Sequence, residues 1–287
     1  MNETVTVAAE AMATRFEIAL HGDPVATLRA GAEEALAEIT RLESILSLYL
    51  PASEISHINK RGAYEPVPVS PEVFMLLERS IELSNQTKGA FDITIAPLMN
   101  CWRFMNDTGE VPTEDAIAQA LEYTGSHQLR LNQSDTTVQL AREGVMLDLG
   151  SVGKGYALEQ AAKLLHENEF RNFLIHGGTS TICAAGKQAA GIPWRIAVKH
   201  QDEDQPPLHI VDLENKSLSV SGIGGKSFID EKGIEQGHVI DPRTGRPTQA
   251  ARVAAVICHS ATASDAWATA LLVEPNLQTP PALRVLT

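Results

Sequence analysis

Within residues 14–20 the apolar Phe16, Ile18 and Leu20 alternate with Arg15, Glu17 and Ala19, the two-residue period of a half-buried strand. The period then changes. Across residues 25–46, Leu28, Ala32, Ala35, Leu36, Ile39, Leu42 and Ile45 recur at helical spacing with charges on the other face, which predicts an amphipathic helix. Ser70-Pro71 offers a capping hydroxyl and a proline at the first helical position. Val73, Leu76, Leu77 and Ile81 then form the buried face, and Gly89 supplies a stop. Residues 113–123 predict a shorter helix. Residues 129–131, 137–140 and 145–149 read as strands joined by polar turns, and therefore as antiparallel hairpins. Helical spacing returns across residues 155–168 through Leu158, Ala161, Ala162 and Leu165, and residues 172–175 predict a buried strand. Beyond Gly191 strands dominate until a last helix near Asp265; the acidic, proline-bearing stretch 201–207 reads as a solvated loop between two of them.

This order of elements predicts an α+β fold of mixed, largely antiparallel sheets packed with helices, not a βαβ repeat. A chain of 287 residues suits two domains of ordinary size or one large domain with two lobes. Its 44% hydrophobic and 21% charged residues exclude disorder and a fibrous repeat. With 23 Lys and Arg against 36 Asp and Glu, the formal charge is -13, so no basic field steers nucleic acid to this protein. Any anionic ligand must meet local positive groups. Cys101, Cys183 and Cys258 are odd in number and far apart, which suits neither a disulfide framework nor a CxxC zinc site; buried free thiols are expected. No run approaches the roughly 18 apolar residues of a membrane span. The opening MNETVTVAAEAMATRF lacks the basic and apolar regions of a signal peptide, so a cytoplasmic protein is expected. A protein exported or lipid-anchored through a leader since removed would carry the same sequence.

Candidate chemistry sits in four segments. LDLGSVGKGY, from Leu147 to Tyr156, places an apolar stretch before a Gly-x-x-Gly-Lys-Gly turn that leads into a helix. Backbone N–H groups, the helix N-terminus and Lys154 can converge there on a phosphate. A P-loop needs a glycine five residues before its Gly-Lys pair and a Ser or Thr after it, and this turn lacks both. GIGGKS, from Gly222 to Ser227, comes closer, with Val220 where the first glycine belongs. A plain tight turn explains either segment equally well. Asp265 and Thr269, four residues apart, put two oxygens on one helical face, where a hard cation such as Mg²⁺ can take both. The same residues also suit a helix N-terminal carboxylate and a threonine bonded back to a carbonyl. In HVIDPRTGRP, His238 and Asp241 fit an acid-base group and its orienting partner, while Asp-Pro-x-Thr-Gly is equally a turn sequence.

Taken in order, MATRFEI, LYLPASEISHIN, GAFDITIAPLMNCWRF, LDLGSVGKGYALE, HGGTSTI, VSG, HVIDPRTGRP and SDAWATALLV make the chain resemble, nearly end to end, the FAD:protein FMN transferases of the ApbE type. The resemblance implies a single domain over residues 1–287, with N-terminal and C-terminal lobes and the flavin site between them. It implies that FAD is cut at its pyrophosphate and that the FMN half joins a Thr or Ser of an acceptor protein through a phosphoester, releasing AMP. Mg²⁺ would be held by Asp265, Thr269 and the carbonyls of Gly153 and Ala268. His238 would take the acceptor's proton or orient the phosphates, with Asp241 tuning it. Met12, Tyr49 and Trp102 would pack around FAD; Asp148, Lys154, Ser221 and His238 would contact its polar groups, and Gly177-Gly178 would allow close backbone approach. A Mg²⁺-dependent FAD pyrophosphatase and a non-catalytic FAD-binding protein remain the alternatives. The chain departs from the family pattern at Gly153, usually Ala, at Thr179, usually acidic, and at Ile223-Gly224, commonly Asp-Tyr; the tail NLQTPPALRVLT is shorter than expected.

Overall fold

In the computed structural model, residues 3–106, 109–200, 204–223 and 226–286 are described. The first half of the chain runs β1 (Glu3–Ala11), β2 (Thr14–Gly22), α1 (Val25–Leu46), α2 (Glu54–Arg61), β3 (Val67–Pro68), α3 (Pro71–Gln86), α4 (Ala96–Cys101), α5 (Glu114–Leu121), β4 (Leu129–Asn132) and β5 (Thr137–Leu140). Next come α6 (Gly153–Glu167), β6 (Phe173–Gly177), β7 (Thr181–Ala185), β8 (Trp194–Val198), β9 (His209–Leu213) and β10 (Lys216–Gly222). The remainder comprises β11 (Ser227–Ile229), β12 (Glu235–Gly237), β13 (Ile240–Asp241), β14 (Arg246–Pro247), β15 (Val253–Cys258), α7 (Ala261–Val273) and β16 (Arg284–Leu286). Helix α1 has the bounds its periodicity predicts. Ser70 caps α3 through the Val73 N–H, with Pro71 in the first turn, as expected.

Seven strands form one sheet in the order β1-β2-β6-β7-β10-β15-β16, and every pairing in it is antiparallel. Helices α1, α6 and α7 cover one face, where Phe16, Ile18, Leu20, Phe173, Ile175 and Val256 are buried in the main core. The β8–β9 hairpin covers the other face, setting Trp194, Val198, Val211 and Leu213 against Leu218, Ala255 and Ile257. A third apolar cluster of Leu98, Trp102, Phe104, Ile117, Ala120 and Ile240 ties α4 and α5 to β13. The α+β architecture expected from the pattern is the one that forms.

Residues 145–149 are not a strand. Their main chain finds partners outside any sheet: the Leu147 N–H donates to Asn59 Oδ1 at 2.7 Å, Asn59 Nδ2 donates to the Leu147 carbonyl at 3.0 Å, and the Asp148 N–H donates to the Ile93 carbonyl at 2.8 Å. One side-chain amide of α2 therefore does the work of a neighbouring strand. The cysteine expectation also needs correction: all three are free, but only Cys258 is fully buried, and Cys101 and Cys183 are half-buried. Burial pushes the thiols of Cys183 and Cys258 up to about 11. Among the described residues no helix is long and apolar enough to cross a membrane. The loop between β8 and β9 lies where sequence places it, although residues 201–203 are outside the described set.

Asn59→Ala leaves the N–H and C=O of buried Leu147 without partners, an expected loss of about 2–4 kcal/mol in urea denaturation.

Candidate active site

The sheet register gathers distant segments at one end. Ala11 pairs with Thr14, Phe16 with Gly177, Gly177 with Thr181, Thr181 with Ser219, and Ser221 with Ala254. The β1–β2 turn, the β6–β7 turn and the end of β10 therefore lie side by side. Met12 and Ala13 form the first turn with φ of 49° and 56°, left-handed geometry that usually takes Asn-Gly. The Met12 N–H donates to Glu43 Oε1 at 2.7 Å, which ties this turn to α1. Gly178 has φ of +59°, and a Cβ there would lie 2.5 Å from Thr14 Oγ1; a Cβ on Gly177 would lie 2.7 Å from Phe16 Cε1. Glycine is thus what lets the β6–β7 turn close against β2.

Helices α6 and α7 meet beneath this end. Gly155 carries no side chain because a Cβ would lie 2.3 Å from the Ala261 carbonyl oxygen and 2.8 Å from Asp265 Cβ. At that contact the Gly155 N–H donates to Asp265 Oδ2 at 2.9 Å, and Thr181 Oγ1 donates to Asp265 Oδ1 at 3.2 Å. Asp265 is 5% exposed, and loss of hydration raises its pKa against the opposing pull of Lys154, Gly155 and Thr181. One turn on, Thr269 Oγ1 lies 3.3 Å from Ser221 Oγ. Glu159 of α6 secures the start of α7, accepting from Ser260 Oγ at 2.6 Å and from the Thr262 N–H at 3.0 Å. The N-cap of α6, Val152, makes no side-chain cap hydrogen bond. Gly153 opens that helix, and Lys154 follows with its ammonium donating to the Gly150 carbonyl at 3.4 Å.

His238 follows β12 directly. Its Nδ1 lies 3.1 Å from the Lys226 carbonyl oxygen, which only accepts, so Nδ1 carries the proton and Nε2 keeps a lone pair. Desolvation lowers its pKa, with the charges of Lys226 and Lys154 acting in the same direction. Asp241 is not the orienting partner that sequence suggests. Its carboxylate is taken by Arg243, through the N–H and Nε to Oδ1 and Nη2 to Oδ2, each at 2.9 Å, within the turn that returns β13 to β14. Trp102 also differs from expectation. It is 2% exposed and donates its indole N–H to the Gly245 carbonyl at 2.8 Å, so it props that turn from below and offers no open face. Tyr49 lies in the segment after α1 and is 64% exposed.

Electrostatics relate these parts to one another. Lys154 is close enough for its charge to act on Asp148, Asp265 and His238, and Lys226 on Asp148 and His238. Desolvation raises the Asp148 pKa, opposed first by the Gly150 N–H, which it accepts at 2.7 Å. Asp148, His238 and Asp265, drawn from three sequence segments, therefore all lie within reach of the Lys154 charge. The roles of Lys226, Thr181, Glu159 and Asn59 were not visible in sequence, because each is defined by a partner far along the chain. Gly224 lies outside the described residues.

Among the described residues no three His, Cys, Asp or Glu side chains group to hold a metal ion. A Mg²⁺ site here would rest on one carboxylate with neutral oxygens. The donor chemistry fits: Asp265 is buried with only neutral hydrogen-bond donors on its oxygens, and the Thr269 hydroxyl is on the same helical face.

Comparison with known proteins places the fold in a family. A family model described as "ApbE family" matches residues 12–284. FAD:protein FMN transferase of Escherichia coli (strain K12) is 30% identical over 247 residues, covering 84% of this chain and 70% of that protein. The protein of the same name from Klebsiella pneumoniae (strain 342) is 31% identical over 268 residues, covering 91% and 76%. Among solved structures, the Thermotoga maritima ApbE protein superposes with a TM-score of 0.87 at 27% identity, over 94% of this chain and 87% of that one. The apo Pseudomonas stutzeri flavinyl transferase ApbE gives 0.80 at 26%, over 95% and 86%. Fold and relatives thus define a protein of the flavin transferase type. The chain belongs to the ApbE family.

With a lowered folded-state pKa, neutral His238 contributes stability that is present above the ordinary value of 6.5 and is lost as pH falls through the folded value. In a two-dimensional NMR titration the His238 ring is expected to protonate with a midpoint below 6.5; a midpoint above it would contradict the desolvated, Lys-flanked setting.

Proposed function

We propose that this protein transfers the FMN half of FAD to a Thr or Ser hydroxyl of an acceptor protein, forming a phosphoester and releasing AMP, in a Mg²⁺-dependent reaction. The observation that carries this reading is the meeting of a neutral histidine, its Nε2 free to accept a proton, with Lys154 and a buried carboxylate on the α6–α7 junction. His238 Nε2 takes the proton of the acceptor hydroxyl as that oxygen bonds to the FMN-side phosphorus, and the pyrophosphate P–O bond breaks with its electrons leaving on AMP. Lys154 offsets negative charge on the phosphate oxygens. Asp265 and Thr269 side chains, with the carbonyls of Gly153 and Ala268, would hold Mg²⁺, which when bound neutralises the pyrophosphate.

The remaining residues position FAD. Gly177 and Gly178 present bare main chain to it, with Met12 and Ser221 at the same end of the sheet; Asp148 and Tyr49 contribute from outside the sheet. Trp102 and Asp241 act one step removed, by fixing the β13–β14 turn that follows His238 in the chain.

Intact mass of an FMN-accepting flavoprotein domain, after incubation with this protein, FAD and Mg²⁺, tests the reading. A gain of one FMN that EDTA or Asp265→Ala removes is the expected result. His238→Ala should slow transfer roughly 10²- to 10⁴-fold while FAD still binds. FMN and AMP released without a mass gain would identify a hydrolase, and FAD bound unchanged a carrier.

A further inference from the structure

The β11–β12 hairpin stands beside the candidate base, and one of its edges is open. The Asp230 N–H donates to the Ile234 carbonyl at 2.9 Å, and the His238 N–H donates to the Lys226 carbonyl at 2.9 Å. Between these rungs, Ser227 pairs with Gly237, Phe228 with Gln236 and Ile229 with Glu235. Hydrogen-bonded and non-bonded pairs alternate in an antiparallel ladder, so Phe228 bonds inward while the N–H and C=O of Ser227 and Ile229 point away from β12. The far edge is partly occupied, because Gln249 Nε2 donates to the Glu235 carbonyl at 2.8 Å. Among the described residues nothing pairs with the outer edge of β11.

We propose that this edge of β11 is the docking strand for the acceptor protein, whose extended segment pairs along Ser227–Ile229 and so brings its Thr or Ser to His238. The proposal rests on the transferase reading above and names how that site receives its second substrate. Two observations favour an acceptor segment as occupant. The edge starts next to the candidate base: on the inner side of β11, the Lys226 carbonyl that precedes Ser227 accepts from the His238 N–H and lies 3.1 Å from its Nδ1, so a strand added along Ser227–Ile229 begins one strand spacing from the residue that holds His238. The hairpin is also braced to receive a strand. Phe228 packs on Phe104 with ring centroids 5.8 Å apart and fills the space above Gly109, anchoring one face of the hairpin, while Ile229 on the opposite face stays 65% exposed. Strand addition draws its affinity from main-chain hydrogen bonds, which suits an enzyme that must accept a length of protein chain. A three-residue edge binds weakly enough for the modified product to leave.

Ile229→Pro removes one outward N–H and leaves the rungs to β12 intact, since a proline is tolerated where the N–H faces solvent. In the full chain it is expected to lower kcat/KM for an FMN-accepting flavoprotein domain roughly five- to tenfold, through KM, the loss of about one hydrogen bond. Ile229→Val, which keeps the amide, should restore it, and FAD affinity by fluorescence should not change. Hydrogen exchange on the wild-type protein gives a second reading, in which Ser227 and Ile229 amides gain protection when the domain is added. Unchanged kcat/KM in Ile229→Pro, or no protection at these amides, overturns the docking proposal alone. A wild-type protein that modifies no acceptor overturns the transferase reading and this proposal with it.

Discussion

The Asp265 carboxylate is the point on which the rest depends. It takes a main-chain N–H from α6 and a hydroxyl from β7, so one side chain of α7 fixes two neighbouring elements at once. That bond exists only because α6 offers no side chain at Gly155. Glu159, one turn further along α6, closes the same pair of helices from the other end by capping α7. With α7 fixed, Thr269 falls beside Ser221 and the sheet end is complete. The arrangement keeps a carboxylate where hydration is poor, a cost that its neutral donors only partly offset and that a bound cation would relieve.

Much of the fold was legible because it follows from burial period. Residues 25–46 and 71–86 declare themselves as helices through apolar spacing and, for the second, through Ser70-Pro71. Residues 145–149 differ from the strand their pattern predicts for a physical reason: a buried extended segment has the same apolar pattern whether its main chain bonds to a strand or to Asn59. In β1 the alternating Val5, Val7, Ala9 and Ala11 include two small alanines and give only a weak period, and the short α2, α4 and β16 have too few turns or residues for a period to show.

The site divides along the same line. Residue types capable of the chemistry stand out in sequence, and the structure sets Asp148, His238 and Asp265 within reach of the Lys154 charge. Their partners do not stand out. Asp241 lies three residues from His238, and proximity in sequence suggested a pair; the carboxylate turns instead to Arg243, two residues away in its own loop. Trp102 has an aromatic face suited to a flat ring, yet its indole N–H needs a buried acceptor and finds Gly245. Local spacing says which groups are present, while long-range register says which of them meet.

Strand β16 has a consequence for solubility. Arg284, Val285 and Leu286 cover one side of β15, whose sequence VAAVIC is apolar throughout and almost wholly buried. Without that cover, β15 would present a flat, uncharged, proline-free edge, the kind of template on which other chains assemble into cross-β aggregates. Three residues, one of them an exposed arginine, stand between the interior of the sheet and self-association.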